Sequence, residues 1–149
     1  MSNSTRDQFN DLLRSEGLNA GIIPVSNIPN EESRLNEVNR LGILNRDLDQ
    51  EAQYNALTQL AAIITKSQIG LINILGSNIQ QCKTNFGFNV VESTLTEEMP
   101  REISICQYSL ASPQEPLIIN DLFLDERTKH FKKLEAYENL RFYAGSPLI

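Results

Sequence analysis

Between Gly70 and Phe86 the hydrophobic period of the chain changes, and that change limits the folds open to it. Upstream, Tyr54, Leu57, Ala61 and Ile64 recur at helical spacing, with Leu60 and Ile63 widening the stripe. Packing into a core is the expected fate of that stripe. Downstream, Leu71-Ile72-Asn73-Ile74-Leu75 is too apolar for a one-sided strand and reads as a central one. Gly76-Ser77-Asn78 supplies a turn, and Ile79 to Phe86 returns with partial alternation. Two strands joined by so short a turn run antiparallel, which excludes an all-parallel sheet.

The rest of the chain fits around this hairpin. Phe9, Leu12, Leu13 and Leu18 give Asp7 to Leu18 a weak helical stripe. Residues 19–29 hold two prolines and no period, so an extended arm is expected, held against the domain by its β-branched residues. Asn30 suits a helix cap, Glu31 and Glu32 suit a first turn, and Leu35, Val38 and Leu41 share a face up to a terminating Gly42. Asp47 or Asp49 is expected to cap the helix that ends near Thr65. Residues 87–99 read as polar and irregular. A short helix over Ile103 to Leu110, a buried strand over Pro116 to Asn120, a helix from Asp125 through Leu134 and a last strand over Arg141 to Ile149 complete the order. The expected fold is α+β, with a mostly antiparallel sheet and helices on its faces. Residues 1–29 form an N-terminal helix and arm, and 30–149 one domain.

At 149 residues and 40% hydrophobic content the chain suits a single core. Its 19 acidic and 13 basic residues give a net charge of −6, which argues against a nucleic-acid surface. Arg127, Lys129, Lys132 and Lys133 are interrupted by acidic neighbours and read as a solvated face. No run approaches the ~20 apolar residues of a membrane span, and no signal core follows Met1, so a cytoplasmic protein is expected. Cys82 and Cys106 fit neither a metal spacing nor a disulfide framework and are expected as free thiols.

Arg34-Leu35, Leu41-Gly42-Ile43-Leu44, the hairpin from Ile69 to Phe86, Pro100-Arg101-Glu102, Pro116-Leu117-Ile118-Ile119, Asp125-Glu126-Arg127 and Arg141 to Leu148 follow one another in a telling order. From about Asn30 onward the chain resembles GAF domains of bacterial sensor kinases and diguanylate cyclases. The resemblance implies a GAF-like (profilin-like) sheet that stops before a final strand and a C-terminal helix, leaving the fold incomplete at the C-terminus. It also implies a non-catalytic sensor of signal transduction, of the two-component kind, that binds a small molecule and regulates a partner or output domain. No enzyme activity is expected on this basis.

The resemblance places Cys106, Tyr108, Asp121, Phe123, Arg127 and Phe131 near a ligand pocket, with Arg141 and Tyr143 on its floor. Arginine forks suit carboxylate or phosphate, and aromatic rings offer stacking surface. The competing account makes Asp121, Asp125, Arg127 and Arg141 structural caps and an internal ion pair. Cys106 fits a buried hydrophobe better than a redox centre. Neither cysteine is followed by the His of bilin-binding relatives, the lone His130 reads as a surface residue, and the Asn-Lys-Phe-Asp-Glu signature of cyclic-nucleotide-binding relatives is not recognisable. The ligand and any cofactor are therefore unnamed. Alternatives are an interaction or dimerisation module without ligand, a non-functional fragment and, remotely, a thiol-dependent methionine sulfoxide reductase.

Overall fold

The computed structural model describes residues 3–46, 52–87, 98–133 and 139–148. They are α+β with antiparallel strand pairing, and they cluster into two compact units. One unit is Glu32–Glu98; the other joins Met1–Glu31 to Met99–Ile149.

In the 32–98 unit, α2 (Glu31–Leu41) ends at Gly42, whose φ of 60° is the left-handed turn expected of it. Asn30 precedes α2 with φ 54°, so it does not take the extended backbone of an N-cap. Helix α3 (Ala52–Thr65) closes in a Schellman arrangement: Lys66 N–H donates to Ile63 O, and Ser67 N–H to Ala62 O. The caps expected at Asp47 or Asp49 lie outside the described residues. Strands β1 (Gly70–Leu75) and β2 (Ile79–Phe86) form the expected hairpin, and β3 (Glu98–Pro100) adds a short strand in the order β1-β2-β3. Lys83 is the extra residue of β2, where the register shifts between Ile72 and Asn73. Its buried ammonium donates to Leu44 O at 2.8 Å and Arg46 O at 3.0 Å.

Two expectations fail in this unit. β1 has the composition of a central strand but is an outer one, pairing among the described residues with β2 alone. Helix α3 buries Thr58 and Ala62 and turns Leu57, Leu60, Ile63 and Ile64 outward, with Ile64 70% exposed. Close approach explains the reversal. A Cβ at Gly70 would stand 2.7 Å from Thr58 O and 3.3 Å from Ala62 Cβ, so only small side chains fit between helix and sheet. Thr58 satisfies its hydroxyl there, against Tyr54 O and the buried Thr84 hydroxyl.

In the other unit, α1 (Asn3–Ala20) is longer than its apolar stripe suggests. It too ends in a Schellman motif, with Gly21 N–H donating to Leu18 O and Ile22 N–H to Gly17 O, at a Gly21 φ of 98°. Lys133 Nζ caps the same end at Ala20 O, 2.7 Å away, where a cation suits the helix dipole. A Cβ on Gly17 would overlap Ile103 Cγ2, which explains a glycine inside the helix. The core comprises Ile22, Met99, Ile103, Ile105, Leu117, Ile119, Leu122 and Phe131. Strands β4 (Leu117–Ile119) and β5 (Tyr143–Gly145) form a separate two-stranded ladder, where one continuous sheet was expected. Pro116 precedes β4 and Pro147 follows β5; proline lacks the N–H that would extend the ladder, so Arg141 to Ile149 is not one long strand. The segment from Asp125 forms turns and a 3-10 helix (Phe131–Lys133) instead of a capped α-helix, and Leu134 lies outside the described residues. Asp side chains that bond the backbone two residues on favour turns over helix, as Asp125 Oδ1 does with Arg127 N–H at 2.9 Å.

Candidate functional site

All eight residues singled out from the sequence fall in the unit that joins 1–31 to 99–149. Six of them form two groups. In the first, Asp121 receives Phe123 N–H at 2.9 Å and is gripped by both arms of the Arg141 guanidinium. The same guanidinium lies 4.9 Å from the centroid of the Phe123 ring. Leu122 N–H donates to Arg141 O at 2.6 Å, so the cluster also ties the backbone leading into β5. The Arg141 guanidinium, then the Phe123 amide, hold the Asp121 carboxyl below the usual carboxylate range.

In the second group Asp125 holds Arg127 in a bidentate pair, at 2.8 and 2.6 Å, which lowers the carboxyl's pKa. Tyr108, on the 3-10 helix Ile105–Ala111, meets the buried Phe131 ring edge-on, with centroids 6.4 Å apart. Its hydroxyl donates to Ile23 O at 2.9 Å. Cys106 is half-buried on the same 3-10 helix, and Tyr143 is packed against the core from β5. Cys82 and Cys106 are not joined in a disulfide and belong to different units.

The arrangement gives two planar guanidinium groups, one over an aromatic ring, each already holding a carboxylate. An incoming carboxylate or phosphate would meet matching donors but would have to displace Asp121 or Asp125. The caps-and-pairs account of these four charges describes their present geometry.

Nothing in the local pattern of residues points to Gln107 as part of this site. It is buried, accepts Val25 N–H at 2.8 Å and donates to Glu102 O at 2.6 Å, fastening the arm beside Tyr108. Arg101 pairs with Glu31, and Glu102 with Arg14, so both charges of Pro100-Arg101-Glu102 are engaged. Such long-range partners leave no trace in local spacing. Among the described residues no His/Cys/Asp/Glu group is set to hold a metal, and no helix is long and apolar enough to cross a membrane.

Burial pushes the Tyr108 pKa up to about 12, against ~10 for an unfolded tyrosine. Between those values the unfolded chain releases this proton and the native chain keeps it. Stability from this group is therefore full below pH ~10 and declines as pH rises toward 12. Discounted for partial exposure, the loss is expected at about 1 kcal/mol. Urea unfolding at pH 9 and pH 11 should show it in the wild type, and Tyr108→Phe should flatten the difference. An unchanged slope in Tyr108→Phe would place the titration elsewhere.

No family model matches the chain. The chain is 27% identical over 118 residues to a cyclic di-GMP phosphodiesterase of Pseudomonas aeruginosa; the match covers 79% of this chain and 19% of that protein. The chain thus spans about a fifth of the length of the curated relative it matches. This finding overturns the expectation that no enzyme is involved, because the matched protein is named for a phosphodiesterase activity.

Proposed function

We propose that this chain is a GAF-like sensing module of a signalling protein, and that it governs phosphodiesterase output on a cyclic dinucleotide. The observation that carries this reading is the 118-residue match to a cyclic di-GMP phosphodiesterase. Because that match takes up only 19% of the larger protein, a regulatory segment within such a protein suits it. The antiparallel α+β elements and the order of the motifs from Arg34 to Leu148 are consistent with a GAF-like assignment. In this reading the ligand is a small anion-bearing molecule, held by Arg127 and Arg141 against Phe123 and Tyr108.

Thermal melts of the 149-residue chain against cyclic di-GMP, cyclic GMP, GTP, citrate and free amino acids test it. One class should raise the melting temperature saturably, by roughly 2–8 °C at a hundredfold excess over its Kd. Arg127→Ala and Arg141→Ala, checked for native circular dichroism, should lose that rise at least tenfold in ligand concentration. A melt that no probe moves, or a rise that both variants retain in full, would remove the reading.

A further inference from the structure

We propose that residues 23–30 are a latch on Tyr108, and that its release, with the core intact, opens that ring to the molecule the site binds. The proposal deepens the sensing reading and rests on it, because only in that reading is Tyr108 part of a ligand site. Both ends of the segment are fixed. Ile22 is 3% exposed, and its N–H donates to Gly17 O at 3.1 Å. Glu31 pairs with Arg101, and both side chains are largely buried. A segment anchored at each end can lift and return without unwinding α1.

Between those anchors the grip is light. The Tyr108 hydroxyl donates to Ile23 O at 2.9 Å, and Val25 N–H donates to Gln107 Oε1 at 2.8 Å. In extended backbone the carbonyl of one residue and the N–H two residues on point to the same edge. Two neighbouring side chains of the 3-10 helix thus stand where a paired strand would. The Tyr108–Ile23 bond is open to solvent, and Ile23 is 71% exposed, so little apolar burial supports it. Segments held in this way lie at the low end of local stability.

The two partners of the latch differ. Gln107 is buried, and its amide nitrogen donates to Glu102 O at 2.6 Å, so it keeps its place when the segment leaves. Tyr108 is half-buried, and Arg127 and Asp125 are near enough to act on its phenol electrostatically. A ligand acceptor that takes the phenol proton must replace Ile23 O, so closure of the latch and full occupancy of the site exclude one another at this atom. Pro24 has a fixed φ and confines Ile23 to extended backbone, in the released segment as in the closed one. Closing again therefore orders little chain.

Amide hydrogen exchange of the whole chain, followed by NMR, reads the latch without any ligand. Val25 N–H should exchange by local opening, roughly a hundredfold faster than Ile22 N–H, which opens only with the end of α1. Tyr108→Phe should speed Val25 exchange by roughly five- to tenfold, the worth of one hydrogen bond, and leave Ile22 unchanged. Val25→Pro deletes the donor to Gln107. With native circular dichroism it should raise the rate at which tetranitromethane nitrates Tyr108, located by peptide mass, by a similar roughly five- to tenfold. If Val25→Pro does not fold, the Tyr108→Phe exchange decides alone. Val25 and Ile22 amides that open together overturn the proposal. So does Val25 exchange indifferent to the Tyr108 hydroxyl, or nitration that a folded Val25→Pro chain leaves unchanged. The ligand melts test the sensing reading separately: if no probe moves them while the latch opens as stated, the ligand assignment falls and the latch remains.

Discussion

Gly87→Ala is expected to destabilise the protein by about 3 kcal/mol, more than the left-handed backbone alone explains. Gly87 follows the last residue of β2 and has φ 88°, a region L-residues rarely enter. A Cβ there would also overlap the carbonyl oxygen of Gln68, two residues before β1 begins. Gly70 and Phe86 are paired in the register, so the obstructing atom is backbone at the base of the hairpin. A flexible side chain could swing away; this oxygen can retreat only if the ladder opens. Gly42→Ala separates the two costs, because Gly42 has φ 60° with nothing within 4 Å of an added Cβ. Its cost should stay near 1 kcal/mol, that of an incompatible backbone without a clash. Urea midpoints at constant slope measure both. Equal losses for the two variants would mean that the approach of Gly87 to Gln68 contributes nothing.

The contrast between these glycines shows where sequence reasoning reached and where it stopped. Gly42 was legible because helix termination is local: an apolar face ends, and a residue free to take positive φ follows. The β1–β2 hairpin was legible for the same reason. The faces of α3 were not. Both sides of that helix carry apolar residues, and hydrophobicity alone assigns the larger ones to the interior. What decides is the approach of α3 to Gly70, which admits Thr58 and Ala62 and excludes Leu57 and Leu60. The arm was half legible: two prolines removed any period, so the burial of Ile22 and its bond to Gly17 O could not be read. In the candidate site, the Asp125–Arg127 pair lies two residues apart and follows from local turn chemistry. Asp121 and Arg141 are 20 residues apart and meet only because the chain returns beside β4.

Phe131→Ala is expected to cost about 3–5 kcal/mol, the range for deleting a buried ring whose cavity cannot collapse. Phe131 is 0% exposed and belongs to the cluster with Ile22, Ile103, Ile119 and Leu122. The residue has a second effect, because its ring meets Tyr108 edge-on and helps keep water from the phenol. Burial is the main cause that lifts Tyr108 to about 12. Removing the ring should therefore bring the phenol back toward ~10, an effect visible in the alkaline ultraviolet titration. Phe131→Leu keeps most of the volume and should cost under about 1.5 kcal/mol, so it stays folded if the alanine variant does not. In that variant the Tyr108 titration should move only part of the way. A phenol that still titrates near 12 in Phe131→Ala, with stability lost, would show that Tyr108 is shielded by something other than this ring. A phenol that shifts with little loss of stability would show that the ring serves the site more than the core. The two measurements together thus separate packing from site-building in one residue, which neither the apolar pattern of the sequence nor burial alone can do.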